Sequence, residues 1–95
     1  MVWTKFELDE QKAQELSGMS IDEIYTQIDE IARDCNLVKR GKGFYENNEG
    51  KDTDLGYLAA FVFTEMSHKE WFVKSAKTWT MYDENDGEGS VFDIE

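Results

Sequence analysis

Met19-Ser-Ile-Asp-Glu-Ile-Tyr-Thr-Gln-Ile-Asp-Glu-Ile-Ala-Arg-Asp-Cys-Asn-Leu-Val38 is the stretch from which the fold is read, because its pattern admits one interpretation. Ile21, Ile24, Tyr25, Ile28, Ile31, Ala32 and Cys35 recur at helical spacing and form one apolar stripe, while Asp22, Glu23, Thr26, Gln27, Asp29, Glu30, Arg33 and Asp34 fill the opposite face. Ser20 and Glu23 stand at the spacing of a capping box, and Met19 and Ile24 at the positions of a hydrophobic staple. Asp22 and Glu23 place negative charge in the first turn, where the helix dipole favours it. Arg33 follows Asp29 by four residues and Glu30 by three, and Asn36 is a natural stop. Such a helix needs an apolar surface that other parts of the chain must supply.

Upstream, Val2, Thr4, Phe6 and Leu8 alternate with Trp3, Lys5 and Glu7, which reads as a strand or as the lead-in to a helix. Asp9 suits an N-cap, Ala13 and Leu16 lie at apolar spacing, and Gly18 ends this short, mostly polar helix. Downstream, Lys39-Arg-Gly-Lys-Gly43 is the only basic cluster. It lacks the glycine spacing of a P-loop or a dinucleotide fingerprint, and it leads into Phe44-Tyr45-Glu46, a short strand. Asp52 or Thr53 can cap a helix from Asp54 to Met66 that is apolar on nearly every side. Ser67 and Glu70 repeat the capping-box spacing, and the helix they open would align Phe72, Ala76 and Trp79. From Lys77 onward the chain also alternates like a strand, as does Ser90 to Glu95, so a hairpin across Asp83 to Gly89 competes with that helix.

The fold expected from these patterns is α+β and helix-dominated: three or four helices with at most a small antiparallel sheet or a C-terminal hairpin. Ninety-five residues without a proline suggest a single domain over 1–95, ending in an acidic turn and C-terminal segment at 83–95. The three tryptophans, four tyrosines and six phenylalanines are enough to build a core from a short chain. One cysteine excludes an internal disulfide and favours a reducing, cytoplasmic setting. The longest uncharged run, Leu55 to Thr64, falls well short of the roughly 20 residues of a membrane span.

Charge is the dominant global signal. Ten basic against 21 acidic residues leave −11, a balance that repels nucleic acid backbones and anionic membranes and attracts basic partners. The carboxylates form two groups, Asp22, Glu23, Asp29, Glu30 and Asp34 on the central helix and Asp83, Glu84, Asp86, Glu88, Asp93 and Glu95 near the end. The second group holds six acids in 13 residues with no cation among them, so a cationic ligand would relieve its repulsion.

Two chemistries could use that terminal segment. In the first, Asp22, Glu23, Asp29, Glu30, Asp83, Glu84, Asp86 and Glu88 contact a basic protein partner. In its size, its acidity and its lack of catalytic groups, the chain resembles immunity proteins, inhibitors of nucleic-acid enzymes and DNA-mimicking proteins; the resemblance is one of composition alone. In the second, residues 84–95 bind calcium. This stretch resembles the EF-hand loop in register, with oxygen side chains at positions one, three and five, glycine at six and glutamate at twelve. The resemblance implies Glu84, Asp86, Glu88 and Glu95 as ligands. The departures are Glu84 in place of the usual aspartate, Glu88 at position five and Phe92 where a ligand or its water is usual. No other cofactor is expected. Cys35 falls on the apolar stripe and His68 in a first helical turn, so neither marks a catalytic pair, and the protein is expected not to be an enzyme. Self-association through exposed aromatic side chains is the remaining reading.

Overall fold

The computed structural model describes residues 1–47, 54–84 and 87–93. Five strands, β1 (Val2–Leu8), β2 (Val38–Gly41), β3 (Phe44–Asn47), β4 (Ala76–Asp83) and β5 (Gly87–Ser90), form one antiparallel sheet among them, in the order β2-β3-β1-β4-β5. The helices are α1 (Glu10–Ser17), α2 (Ile21–Asp34), α3 (Asp54–Ala59) and α4 (Glu70–Ser75). A π-helical turn at Ala60–Glu65 and 3-10 turns at Met66–His68 and Val91–Asp93 complete them.

This architecture overturns the expectation of a helix-dominated fold with at most a small sheet. The organising element is the sheet, with β1 at its centre. Seven residue pairs join β1 to β4, from Val2 with Asp83 to Leu8 with Ala76, and four more join it to β3. The helix expected to run on from Ser67 past Trp79 stops at Ser75, where the chain turns into β4 and pairs with β1. Its capping box is absent as well: the Ser67 hydroxyl donates to the Phe63 carbonyl at 2.6 Å, and Lys69 occupies the cap without a side-chain bond. The C-terminal hairpin forms, but its second strand, Gly87–Ser90, starts within the expected turn and ends where the expected strand begins, and Val91–Asp93 coils into a 3-10 turn. The caps proposed at Asp52 and Thr53 lie outside the described residues.

The local rules hold for the first two helices. Asp9 accepts from the Lys12 amide at 3.1 Å, and Gly18 closes α1 in the left-handed region at φ 74°, where a glycine carries no steric penalty. Ser20 accepts from the Glu23 amide at 3.2 Å and Glu23 accepts from the Ser20 amide at 3.3 Å, completing the capping box of α2. Asn36, at φ 63°, turns the chain from α2 into β2.

The period-two alternation of β1 sorts its side chains to two faces. Val2, Thr4, Phe6 and Leu8 are buried against the helices, while Trp3, Lys5 and Glu7 turn away. The buried face joins Tyr45 and Trp79 from neighbouring strands to Ile24, Ile28 and Ala32 of α2, to Leu58, Phe61, Val62 and Met66, and to Phe72 of α4 in a single core. Three edge-to-face or stacked contacts, Phe6–Tyr45, Phe6–Phe72 and Phe72–Trp79, run through it. Two polar links cross this core. The Thr4 hydroxyl accepts from the Trp79 indole at 3.0 Å and donates to the Thr80 carbonyl at 2.9 Å. The Tyr45 hydroxyl donates to Asp29, whose other oxygen receives Lys39 at 3.1 Å, so α2 is tied to β3 and β2 together.

The β2–β3 hairpin turns at Gly43. A Cβ there would stand 2.5 Å from the Phe6 carbonyl oxygen, and φ is 72°. The turn packs directly on β1, with the Phe6 amide donating to the Gly43 carbonyl at 2.9 Å.

Candidate functional site

The structure distributes the expected binding carboxylates over separate surfaces. On α2, Asp22, Glu23 and Glu30 are exposed around a shallow hollow that also holds Met19 and Thr26. Asp29 is already engaged by Tyr45 and Lys39, and Glu23 by its own helix cap. Across the sheet, Asp83 stands at the end of β4 in register with Gly87, and Glu84 accepts from the Met1 ammonium. Glu88 is paired with Tyr82 in the ladder and is exposed. Asp86 and Glu95 lie outside the described residues. Helix α2 packs near β2 at one sheet edge and the acidic hairpin forms the other edge, so the two carboxylate groups stay apart.

Residues Gly87–Ser90 of the calcium-loop resemblance are β-ladder, and Glu84 and Glu88 have different neighbours. Among the described residues no three of His, Cys, Asp or Glu converge as metal ligands would. Cys35 is buried; loss of solvation, with Glu65 and Asp34 nearby, pushes its thiol pKa up and keeps it protonated. His68 is exposed.

A cleft forms where the ends of β1 and α1 meet Tyr25, Lys42 and Lys77. Lys42 lies 2.6 Å from Glu10 and 4.8 Å over the Tyr25 ring, and Tyr25 donates to Glu10 at 3.4 Å. The Lys42 hydrogen bond holds the Glu10 carboxyl below its usual pKa. Desolvation first, then the Glu10 charge, raises Tyr25 to about 12. These groups satisfy one another and clasp the β2–β3 hairpin to the start of α1.

The second face of the sheet carries what the charge pattern did not reveal. In register across all five strands stand Val38, Glu46, Trp3, Tyr82 and Glu88. The next row holds Phe44, Lys5, Thr80 and Ser90. Among the described residues no helix lies over these rows, and none of these side chains belongs to the core. Trp3 stacks on Tyr82 at 5.4 Å between centroids with an interplanar angle of 10°, and meets Phe44 edge-on at 5.6 Å. The result is a continuous aromatic strip, half-exposed, with exposed Val38 at the end of its row. Lys5 lies 5.7 Å from the Phe44 ring, and Arg40 is ion-paired with Glu46.

No family model and no curated protein matches this chain.

The aromatic strip was detectable in the sequence only through β1: a tryptophan out of phase with Val2, Thr4 and Phe6 must face away from the core if the strand is half-buried. Its neighbours Phe44 and Tyr82 become part of it only through register between strands. Among the described residues, no helix is long and apolar enough to cross a membrane.

Proposed function

We propose that this chain is a small acidic binding protein without catalytic activity, of the inhibitor or immunity-protein kind, and that it engages a basic protein partner. The observation that carries this reading is the uncovered Phe44–Trp3–Tyr82 strip on a molecule of net charge −11. Large, partly buried aromatic side chains on a rigid sheet lose little conformational freedom on contact, which makes them efficient anchors. The carboxylates act at longer range. Asp22, Glu23, Glu30 and Glu84 are exposed on different sides of the molecule, so they raise the encounter rate with a cationic protein. Homodimerisation through the same strip would bring two strongly negative molecules face to face, which favours a partner of opposite charge.

The test is capture of partners on the immobilised protein at low salt, followed by affinity measurement on the purified pair. A basic partner whose binding weakens by an order of magnitude or more as salt rises toward about 0.5 M supports the reading. Affinity independent of salt over that range contradicts it.

A further inference from the structure

The cross-strand row that contains the aromatic strip ends in an unusual pairing. One face of the Tyr82 ring is covered by Trp3, which stacks on it in near-parallel planes. On the other side of Tyr82, across one strand spacing, stands Glu88 of β5. The other carboxylate in this row, Glu46, is ion-paired with Arg40, and Glu84 at the end of β4 is ion-paired with the Met1 ammonium. Among the described residues Glu88 has no such partner. Tyr82 thus stands in the sheet row between Trp3 and an exposed carboxylate without an ion pair among the described residues.

Resting on the basic-partner reading above, we propose that this place receives an arginine side chain of the partner, its guanidinium lying against the Tyr82 ring on the side away from Trp3 and hydrogen-bonded to the Glu88 carboxylate. A guanidinium suits both groups at once. It is planar and weakly hydrated, so it extends the Trp3–Tyr82 stack by one layer, and its fork of N–H donors matches the two carboxylate oxygens. A lysine ammonium satisfies only the carboxylate. The same face already shows the attraction of a cation to an aromatic ring, in Lys5 over Phe44. Single-stranded nucleic acid is the other ligand that stacks on aromatic strips of antiparallel sheets. Here its phosphates would meet Glu7, Glu46 and Glu88 with only Lys5 free to answer them, so charge selects the arginine.

The experiment titrates the isotope-labelled protein with hexa-arginine and hexa-lysine at equal charge and about 0.15 M salt. The arginine peptide is expected to bind roughly tenfold more tightly and to shift the Tyr82, Glu88 and Trp3 resonances. Tyr82→Thr, which keeps a strand-favouring residue, should bring the two peptides close to equal affinity, and Glu88→Gln, a surface change, should weaken both. Equal affinity for the unsubstituted protein, a preference for arginine that survives Tyr82→Thr, or affinities untouched by Glu88→Gln overturns the arginine site while the basic-partner reading stands. Binding of neither peptide even at low salt overturns both, as does oligothymidylate shifting the same resonances more tightly than the peptides.

Discussion

Thr4→Val is the substitution that most directly probes the core. The Thr4 side chain is fully buried, as is nearly all of Trp79, and its hydroxyl accepts from the Trp79 indole and donates to the Thr80 carbonyl. Valine keeps the shape and the β-branching, so packing is preserved and only the hydrogen bonds are lost. A buried N–H left without an acceptor costs about 1–3 kcal/mol, offset in part by the added methyl group, for a net loss of about 1–2 kcal/mol. In a chain of this size that corresponds to a fall in Tm of roughly 5–12 °C. Urea unfolding followed by tryptophan fluorescence should show a lower midpoint with an unchanged slope. The cycle is closed with Trp79→Phe: in that background Thr4→Val should cost less than about 0.5 kcal/mol, because the donor is gone. A loss below about 0.3 kcal/mol in the native background, or the same loss in both, would refute the assignment of this bond.

Gly43→Ala should destabilise by about 2–3 kcal/mol, since the new Cβ meets the Phe6 carbonyl at 2.5 Å as well as an unfavourable φ. Gly18→Ala, with nothing within 4 Å, faces φ strain alone and should lose only about 1 kcal/mol; the reverse order in denaturant titrations would contradict the packing at Gly43. The clasp around Glu10 predicts two pH effects of opposite direction. Because folding lowers the Glu10 pKa below 4.5, its contribution is present above that pH and is lost as pH falls through the depressed value, so Glu10→Gln should flatten acid unfolding slightly. Tyr25, raised from 10.0 to about 12, contributes fully below pH 10 and loses that contribution as pH rises toward 12; Tyr25→Phe should remove that part of the alkaline decline.

How much of this could be read from the chain depended on where the decisive interactions lie. Helix α2 was legible because Ser20, Glu23 and the isoleucine stripe sit within one short window and their signals agree. The same holds for Asp9 and Gly18 around α1. Strand β4 was ambiguous because Phe72, Ala76 and Trp79 also suit a helix; pairing with β1, some 75 positions away, decides in favour of strand, and no local pattern records it. Ser67 and Glu70 show the cost of reading a motif without its context, since the serine hydroxyl found a nearer carbonyl in the preceding turn. Strand β5 was invisible for a different reason. Gly-Glu-Gly-Ser has little strand propensity of its own and is strand only because β4 offers it a ladder. The acidity of the surface could be read at once, but the aromatic strip among those charges required Trp3, Phe44 and Tyr82 to be brought side by side by three strands.

The central position of β1 also sets a timetable. Its partner on one side, β4, places Thr80 against Thr4 across 76 positions of sequence. At about 5–20 residues per second, synthesis separates the two by roughly 4–15 s, during which the middle strand of the finished sheet has one unmatched edge. Val2, Phe6 and Leu8 are on it, and α4, which brings Phe72 to the core, is made only just before β4. The hairpin β2–β3 can shield the other edge much sooner. The molecule thus passes through an interval in which its most protected element is its most exposed one, and anything that slows translation between β3 and β4 lengthens the time available for a nascent chain to pair with the wrong neighbour.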